Sequence, residues 1–339
     1  MNIKEAIRIV NGSKDLTSHE MSEVMISIFK GDCSENQIIE FLDNLQEKGE
    51  SISELTGAVE VMRNFSLKVQ TEITDLVDCC GTGGLGKSMM NVSTSSAFVA
   101  AASGIKIAKH GNRSATGTSG SADLLEAAGL NLSLNSQSIA ECINQIGIGF
   151  IFAQNHHPGM KYVMSARKKI GKKTIFNLLG PLTNPAGAPI QAIGVFDAKW
   201  VVPVAETLQK LGAQRALVFH SFDGLDEISI ADKTYLAELR NNQISELELD
   251  PKLFGMNYDD LEALKVKSPE DSYKKVIDAL NGSFEEGSSI VKLNAGAVIY
   301  LSGKTKSIEE GFLKADEYIK NGESLKKLDE LVSISQRLF

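Results

Sequence analysis

Residues 76–84 read LVDCCGTGG, a short apolar run that stops on a cluster of glycines. An apolar segment of this length, Leu76–Cys80, bounded by glycine, has the signature of a buried strand. Downstream, Asn91-Val92-Ser93-Thr94 leads into SSAFVA, and the pattern predicts a helix starting at Ser93-Thr94 and running through Ala100. The arrangement then repeats. Ile105–Ala108 is a second predicted strand, the glycine- and serine-rich stretch Lys109–Ser121 follows it, and a helix is predicted around Ala122–Ala128. Ile148–Ala153 and Arg215–His220 add further strands with helical pattern between them. Such alternation predicts an α/β fold, with a mostly parallel central sheet flanked by helices. Ligands in such sheets bind outside the carboxyl ends of the strands, where both glycine-rich loops fall.

Before residue 71 the pattern differs. Thr17-x-x-Glu20, Ser34-x-x-Gln37 and Ser51-x-x-Glu54 have the form of capping boxes, each ahead of an apolar run with helical spacing. Gly31 and Gly49 stand where helix C-caps belong. The expectation is a smaller all-helical domain over 1–70, joined by helices from about 158–180, and an α/β catalytic domain over 71–339. Asn241–Asp250 is polar, as a surface connection or a hairpin would be, and 255–290 gives a mixed helical pattern.

Composition sets the class. The 339 residues are 42% hydrophobic and 23% charged, the balance of a water-soluble globular chain. The net charge of -8 argues against a nucleic-acid partner. No run approaches the ~20 apolar residues of a membrane span, and the N-terminus lacks the apolar core of a signal peptide. Cys33, Cys79, Cys80 and Cys142 form no C-x-x-C pair, which speaks against a zinc site and suits a reducing compartment. A cytoplasmic location is expected.

Four segments carry chemistry. Gly81-Thr82-Gly83-Gly84 precedes a helix start, a place where backbone N–H groups face anions. It is neither a Walker A loop nor a G-x-G-x-x-G fingerprint. Lys109-His110-Gly111-Asn112-Arg113-Ser114-Ala115-Thr116-Gly117-Thr118-Ser119-Gly120-Ser121 gathers cations, hydroxyls and glycines at a strand end, as a phosphate or pyrophosphate site requires. Asp226 and Glu227, in DGLDE, suit Mg2+, which takes hard oxygen ligands from one or two carboxylates and substrate phosphates. In the fourth, HHPGMK through TIFNLLGPLTNP, His157 before Pro158 reads as a helix start. The basic run there suits a helix end, and Arg167 is the guanidinium that could hold a carboxylate.

Taken together, KHGNR, SGSADLLEAAG, HHPGM, TIFNLLGPLTNPAG and DGLDEIS resemble the anthranilate phosphoribosyltransferase family, in order and over nearly the whole chain. The resemblance implies a nucleoside phosphorylase/phosphoribosyltransferase-like architecture, a homodimer through the helical domains and an active site at the hinge. It implies transfer of the 5-phosphoribosyl group from phosphoribosyl pyrophosphate to the amine of anthranilate, with release of pyrophosphate, in tryptophan biosynthesis. By the same resemblance, Gly81, Gly84, Leu85, Met89, Asn91, Val92, Ser93, Thr94, Lys109, His110, Gly111, Asn112, Arg113, Ser114, Ala115, Thr116, Gly117 and Ser121 bind the sugar diphosphate. Gly81, Asn112 and Arg167 bind anthranilate, with His110 nearby; Ser93, Asp226 and Glu227 hold Mg2+, as two ions.

The chain departs from the family in one place. Leu85 stands where the family has Asp, Met89 where it has Thr, and Met90 where Phe is common. Leu85 accepts no hydrogen bond, and each lost contact is worth about 1 kcal/mol. Two alternatives follow: a paralogue with weakened sugar-diphosphate binding, non-catalytic or of altered specificity, and a related nucleoside phosphorylase. The second typically carries an extra C-terminal domain, for which this sequence has no counterpart.

Overall fold

The computed structural model describes residues 1–83, 88–114 and 117–338. Helices α1 (Ile3–Asn11), α2 (Ser18–Lys30), α3 (Glu35–Lys48) and α4 (Ile52–Phe65) come first. The three expected capping boxes start α2, α3 and α4, and Asn2 with Glu5 forms another at α1. Gly31 ends α2 in the left-handed region at φ 82°, which a side chain would strain. Glu54 is fully buried in α4. It accepts from the Leu16 N–H at 2.9 Å and from Lys48 Nζ at 3.0 Å, so its charge is paired.

The rest is a layered α/β unit. Strand β1 (Val77–Gly81) leads to α5 (Val92–Ala102), β2 (Ile107–Gly111), α6 (Ser121–Ala127), α7 (Ser136–Ile146) and β3 (Ile148–Phe152). Short helices α8 (Ala153–His156), α9 (Met164–Ile170) and α10 (Phe176–Leu182) precede β4 (Ile190–Gly194), α11 (Val201–Lys210) and β5 (Arg215–Ser221). Next come β6 (Thr234–Arg240), β7 (Gln243–Leu249), α12 (Pro269–Leu280), α13 (Glu285–Leu301), α14 (Ile308–Lys320) and α15 (Glu323–Arg337). Among the described residues the sheet has seven strands, in the order β3-β2-β1-β4-β5-β6-β7. The pairs from β3 to β5 are parallel, and β6 and β7 are antiparallel. Burial along β3 and β4 is unbroken, as helices on both faces require.

Several expectations shift. β1 and β2 each extend into the following glycine, and α5 begins at Val92. β4 and β6 are strands that the apolar pattern did not single out. Asn241-Asn242, at φ 52° and 59°, turn β6 into β7, so the polar stretch is a hairpin. Pro158 opens only a 3-10 turn, Pro158–Tyr162.

Two cores lie on the two faces of the sheet. Alternation along β1 sends Cys79 to one and Cys80 to the other. The Cys80 side joins Met25, Phe41 and Leu55 of the first helices to Val163, Phe176 and Leu179, and to Trp200 and Val204. The leading helices therefore share one apolar core with α9, α10 and α11, over one sheet face. The other face is covered by α5 and α13, with Phe98, Leu293 and Val298 inside.

Candidate active site

The acid pair sits on the strand ends. After β5 the chain turns through Asp223–Glu227 and crosses the carboxyl ends of β1 and β4. A Cβ on Gly194 would lie 1.7 Å from the Asp226 carbonyl oxygen, and one on Gly81 would lie 2.4 Å from Asp226 Oδ2. Only glycines there let the acidic loop lie down. Asp226 Oδ2 accepts from the Gly83 N–H at 2.7 Å, and Glu227 Oε1 accepts from the Ser93 N–H at 3.1 Å. Asn294 of α13 fixes the loop from behind, donating to the Ile228 carbonyl at 2.8 Å and accepting from its N–H at 2.9 Å.

Among the described residues neither carboxylate has an ion-pair partner. Burial raises the pKa of Asp226; burial, and then the charge of Asp226, push Glu227 up to about 8. Two partly enclosed carboxylates that resist ionising side by side suit a hard cation, and Ser93 Oγ lies beside them. Lys109 is buried, with Nζ 3.5 Å from Ser93 Oγ. Its charge acts on both Glu227 and Asp78, opposing the upward push of burial on each.

The start of α5 faces the same space. Asn91 is the N-cap residue but makes no side-chain cap. Val92 donates to the Met90 carbonyl and Ser93 to Glu227, while no described group accepts from the Thr94 N–H. An uncapped helix start is a ready anion site.

A second pole lies at the end of β2. His110 is buried, donating its backbone N–H to Asp78 Oδ1 at 3.1 Å and turning its ring toward the Gly180 carbonyl of α10. Its Nε2 is 3.3 Å from Nε2 of His157. Burial, and then His157, hold His110 well below the usual imidazole range; burial lowers His157 to about 4. Asp78 also accepts from Asn184 Nδ2 at 2.8 Å. α10 carries Phe176, whose ring lies 5.6 Å from the Arg167 guanidinium. Arg167 has no carboxylate partner among the described residues, and burial lowers its pKa. Around Gly180 a Cβ would meet nothing within 4 Å.

The other anticipated residues divide. Gly111 is enclosed, its Cβ position 2.7 Å from Phe150. Asn112 is exposed and accepts from Gln154 at 3.2 Å. The Arg113 guanidinium is paired with Asp123 and Glu126, at 3.0 and 2.7 Å. Ser114 accepts from the Gly117 N–H at 2.8 Å, and Ser121 lies 3.0 Å from the Thr94 hydroxyl. Met89 turns against the core and bridges Lys265. Gly84, Leu85, Ala115 and Thr116 lie outside the described residues. Asp78, Asn184 and Asn294 support the site without having been singled out, and so does His157, which was read only as a helix start. Asp78 inside an apolar strand is the one that carried a signal, since a buried carboxylate needs partners.

This is the geometry of a two-part glycosyl transferase: residues 4–66 match the helical bundle domain of the glycosyl transferase family, and residues 73–325 its a/b domain. Curated relatives named anthranilate phosphoribosyltransferase include one from Alkalilimnicola ehrlichii, 46% identical over 100% of both chains. Another, from Hahella chejuensis, is 48% identical over 99% of this chain and 98% of its own. The crystal structure of anthranilate phosphoribosyltransferase from Thermus thermophilus superposes with a TM-score of 0.92 at 38% identity, covering 98% and 99% of the two chains. The Saccharomyces cerevisiae enzyme, solved in complex with PRPP and Mg, matches with a TM-score of 0.89 at 24% identity, over 99% and 98%. The chain belongs to the anthranilate phosphoribosyltransferase family.

Proposed function

We propose that this chain transfers the 5-phosphoribosyl group of phosphoribosyl pyrophosphate to the anthranilate amine, at the carboxyl ends of β1, β2, β4 and β5. The observation that carries this reading is the pairing of two poles. Among the described residues, one has carboxylates without an ion pair, a buried lysine and a helix start that Asn91 leaves uncapped. The other has, among the same residues, an arginine without a carboxylate partner over an aromatic ring, and open space beside neutral histidines. The first suits a metal-complexed diphosphate, and the second suits a flat aromatic carboxylate.

In the reaction the bond from the anomeric carbon to pyrophosphate oxygen breaks, and the amine nitrogen forms the new bond and loses a proton. An aromatic amine is a weak nucleophile, so the site acts by positioning and by stabilising charge. Asp226, Glu227 and Ser93 would hold Mg2+, which when bound offsets the charge of the departing pyrophosphate. The Thr94 N–H and the Lys109 ammonium face phosphate oxygens. Arg167 and Asn112 orient the anthranilate carboxylate and ring. The Lys109–Gly117 loop closes off water, which would otherwise hydrolyse the activated sugar. The sugar-diphosphate and anthranilate residues derived from the sequence form one contiguous proposal with these groups. The apolar helical unit supports a homodimer, and the four free cysteines suit the reducing setting of a cytoplasmic enzyme.

The reading is tested by mixing protein, anthranilate, phosphoribosyl pyrophosphate and Mg2+ and following anthranilate fluorescence. Loss of fluorescence dependent on all components is expected. No consumption at micromolar enzyme would overturn it, and phosphate-dependent cleavage of thymidine or uridine would favour the phosphorylase alternative.

A further inference from the structure

The bonding of Asn91 assigns a role to a residue far along the chain. An Asn at an N-cap normally turns its side-chain oxygen back to accept from the N–H two or three residues into the helix. Here that acceptance would fall on Ser93 or Thr94. Asn91 does otherwise. Its Oδ1 accepts from Ser119 Oγ at 3.0 Å and from Ser272 Oγ at 2.8 Å, and its Nδ2 donates to the Ser119 carbonyl at 3.2 Å. An amide oxygen has two lone pairs, and both are taken. The cap is withheld, and the Thr94 N–H is left without an acceptor among the described residues.

Ser272 is fully buried in the first turn of α12. It belongs to an arm that grips the segment before α5 at several points. Val266 donates its N–H to the Ser88 carbonyl at 2.7 Å, and Met90 donates to the Leu264 carbonyl at 2.9 Å. Ser88 Oγ in turn accepts from Thr118 Oγ1 at 2.6 Å. The arm thus ties together the two loops that flank the diphosphate site.

We infer that Ser272 is a positioning residue for phosphoribosyl pyrophosphate: with Ser119 it keeps Asn91 from capping its own helix, so that the Thr94 amide of α5 stays open to phosphate. This rests on the transferase reading given above. Without the Ser272 hydroxyl, Asn91 Oδ1 regains a free lone pair, and the Thr94 N–H, three residues on, is a usual partner of an N-cap oxygen. A self-capped helix is more stable and binds phosphate less well, because the same amide cannot serve both acceptors. The effect is directional: helix stability and diphosphate affinity move in opposite senses.

The test is Ser272→Ala in the full-length protein, with calorimetric titration of phosphoribosyl pyrophosphate in the presence of Mg2+, steady-state kinetics and thermal unfolding. Expected are roughly five- to twenty-fold weaker binding and a matching rise in KM for the sugar diphosphate, the loss of about one good hydrogen bond. KM for anthranilate and kcat stay within about two-fold, and Tm does not fall. In an Asn91→Ala background the same substitution has no further effect, since the two act through one contact. Ser119→Ala, in a partly exposed loop, gives the same KM shift if Ser272→Ala does not fold. Unchanged affinity in both serine variants overturns the inference, as does a loss that persists without Asn91. If the unsubstituted protein itself fails to bind the diphosphate, the substrate reading falls first and this inference falls with it.

Discussion

Both poles of the site withdraw ionisable groups from water, and they settle their charge in opposite ways. At the acid pole, Asp226 and Glu227 accept from backbone N–H groups and make no ion pair among the described residues, with Lys109 acting on Glu227 only at longer range, and both are raised in pKa. At the histidine pole, His110 and His157 lean on each other as neutral rings, and both are lowered. The first pole is incomplete without a ligand that brings positive charge. The second holds its rings neutral but leaves His157 Nδ1 without a hydrogen-bond partner among the described residues, where Arg167 on the neighbouring helix also lacks a carboxylate. A metal-bound diphosphate and an aromatic carboxylate supply what each end lacks.

The strongest way to break the contrast is to neutralise the acid pole. Asp226→Asn combined with Glu227→Gln should reduce turnover roughly 10³-fold or more, the scale of removing electrostatic stabilisation from a transition state. Folding should persist. In Mg2+-free buffer Tm should be no lower than that of the parent, because burial already disfavours the charges. Turnover within a factor of about ten of the parent would show that the pair does not serve the leaving group.

Arg167 comes next. Arg167→Ala should raise KM for anthranilate roughly 10- to 100-fold, the range of a charge-assisted hydrogen bond, and leave diphosphate affinity within about two-fold. Arg167→Lys should restore little, since the ammonium lacks the planar fork and its stacking on Phe176. A rise in diphosphate KM instead would place Arg167 at the wrong pole.

The sequence displayed the acid pole far better than the histidine pole, for a physical reason. Adjacent carboxylates after a strand and glycines at strand ends are local patterns, legible one segment at a time, although the contacts that join Asp226 to Gly83 and Glu227 to Ser93 span 143 and 134 residues. The capping boxes were legible for the same reason: Thr17 and Glu20 serve their own helix. His110 and His157 are 47 residues apart, and neither local pattern announces that the residue after α8 meets the end of β2. Asn294, which holds the acidic loop, lies 66 residues beyond Ile228 on a helix that reads only as apolar and small. Ser272 is a serine in a polar first turn, with nothing to mark its reach to Asn91 across 181 residues. Arg113 has partners that its own segment does not announce: Asp123 and Glu126, which only the approach of α6 makes available.

The histidine pole yields the smallest effect, and its sign separates it from the acid pole. The folded pKa of His157, about 4, lies below the usual 6.5 because burial opposes the charged ring. Between those values the unfolded chain binds more protons than the folded one, so stability is present above pH 6.5 and is lost as pH falls toward 4. His157→Gln keeps an N–H donor for His110 and removes one titrating ring. Its stability should fall less than the parent's between pH 7 and pH 5, by about 1–2 kcal/mol, from parallel urea titrations at the two pH values. Equal pH dependence in both proteins would mean that His157 ionises freely in the fold. The neutral pair would then not distinguish this end of the site from the other.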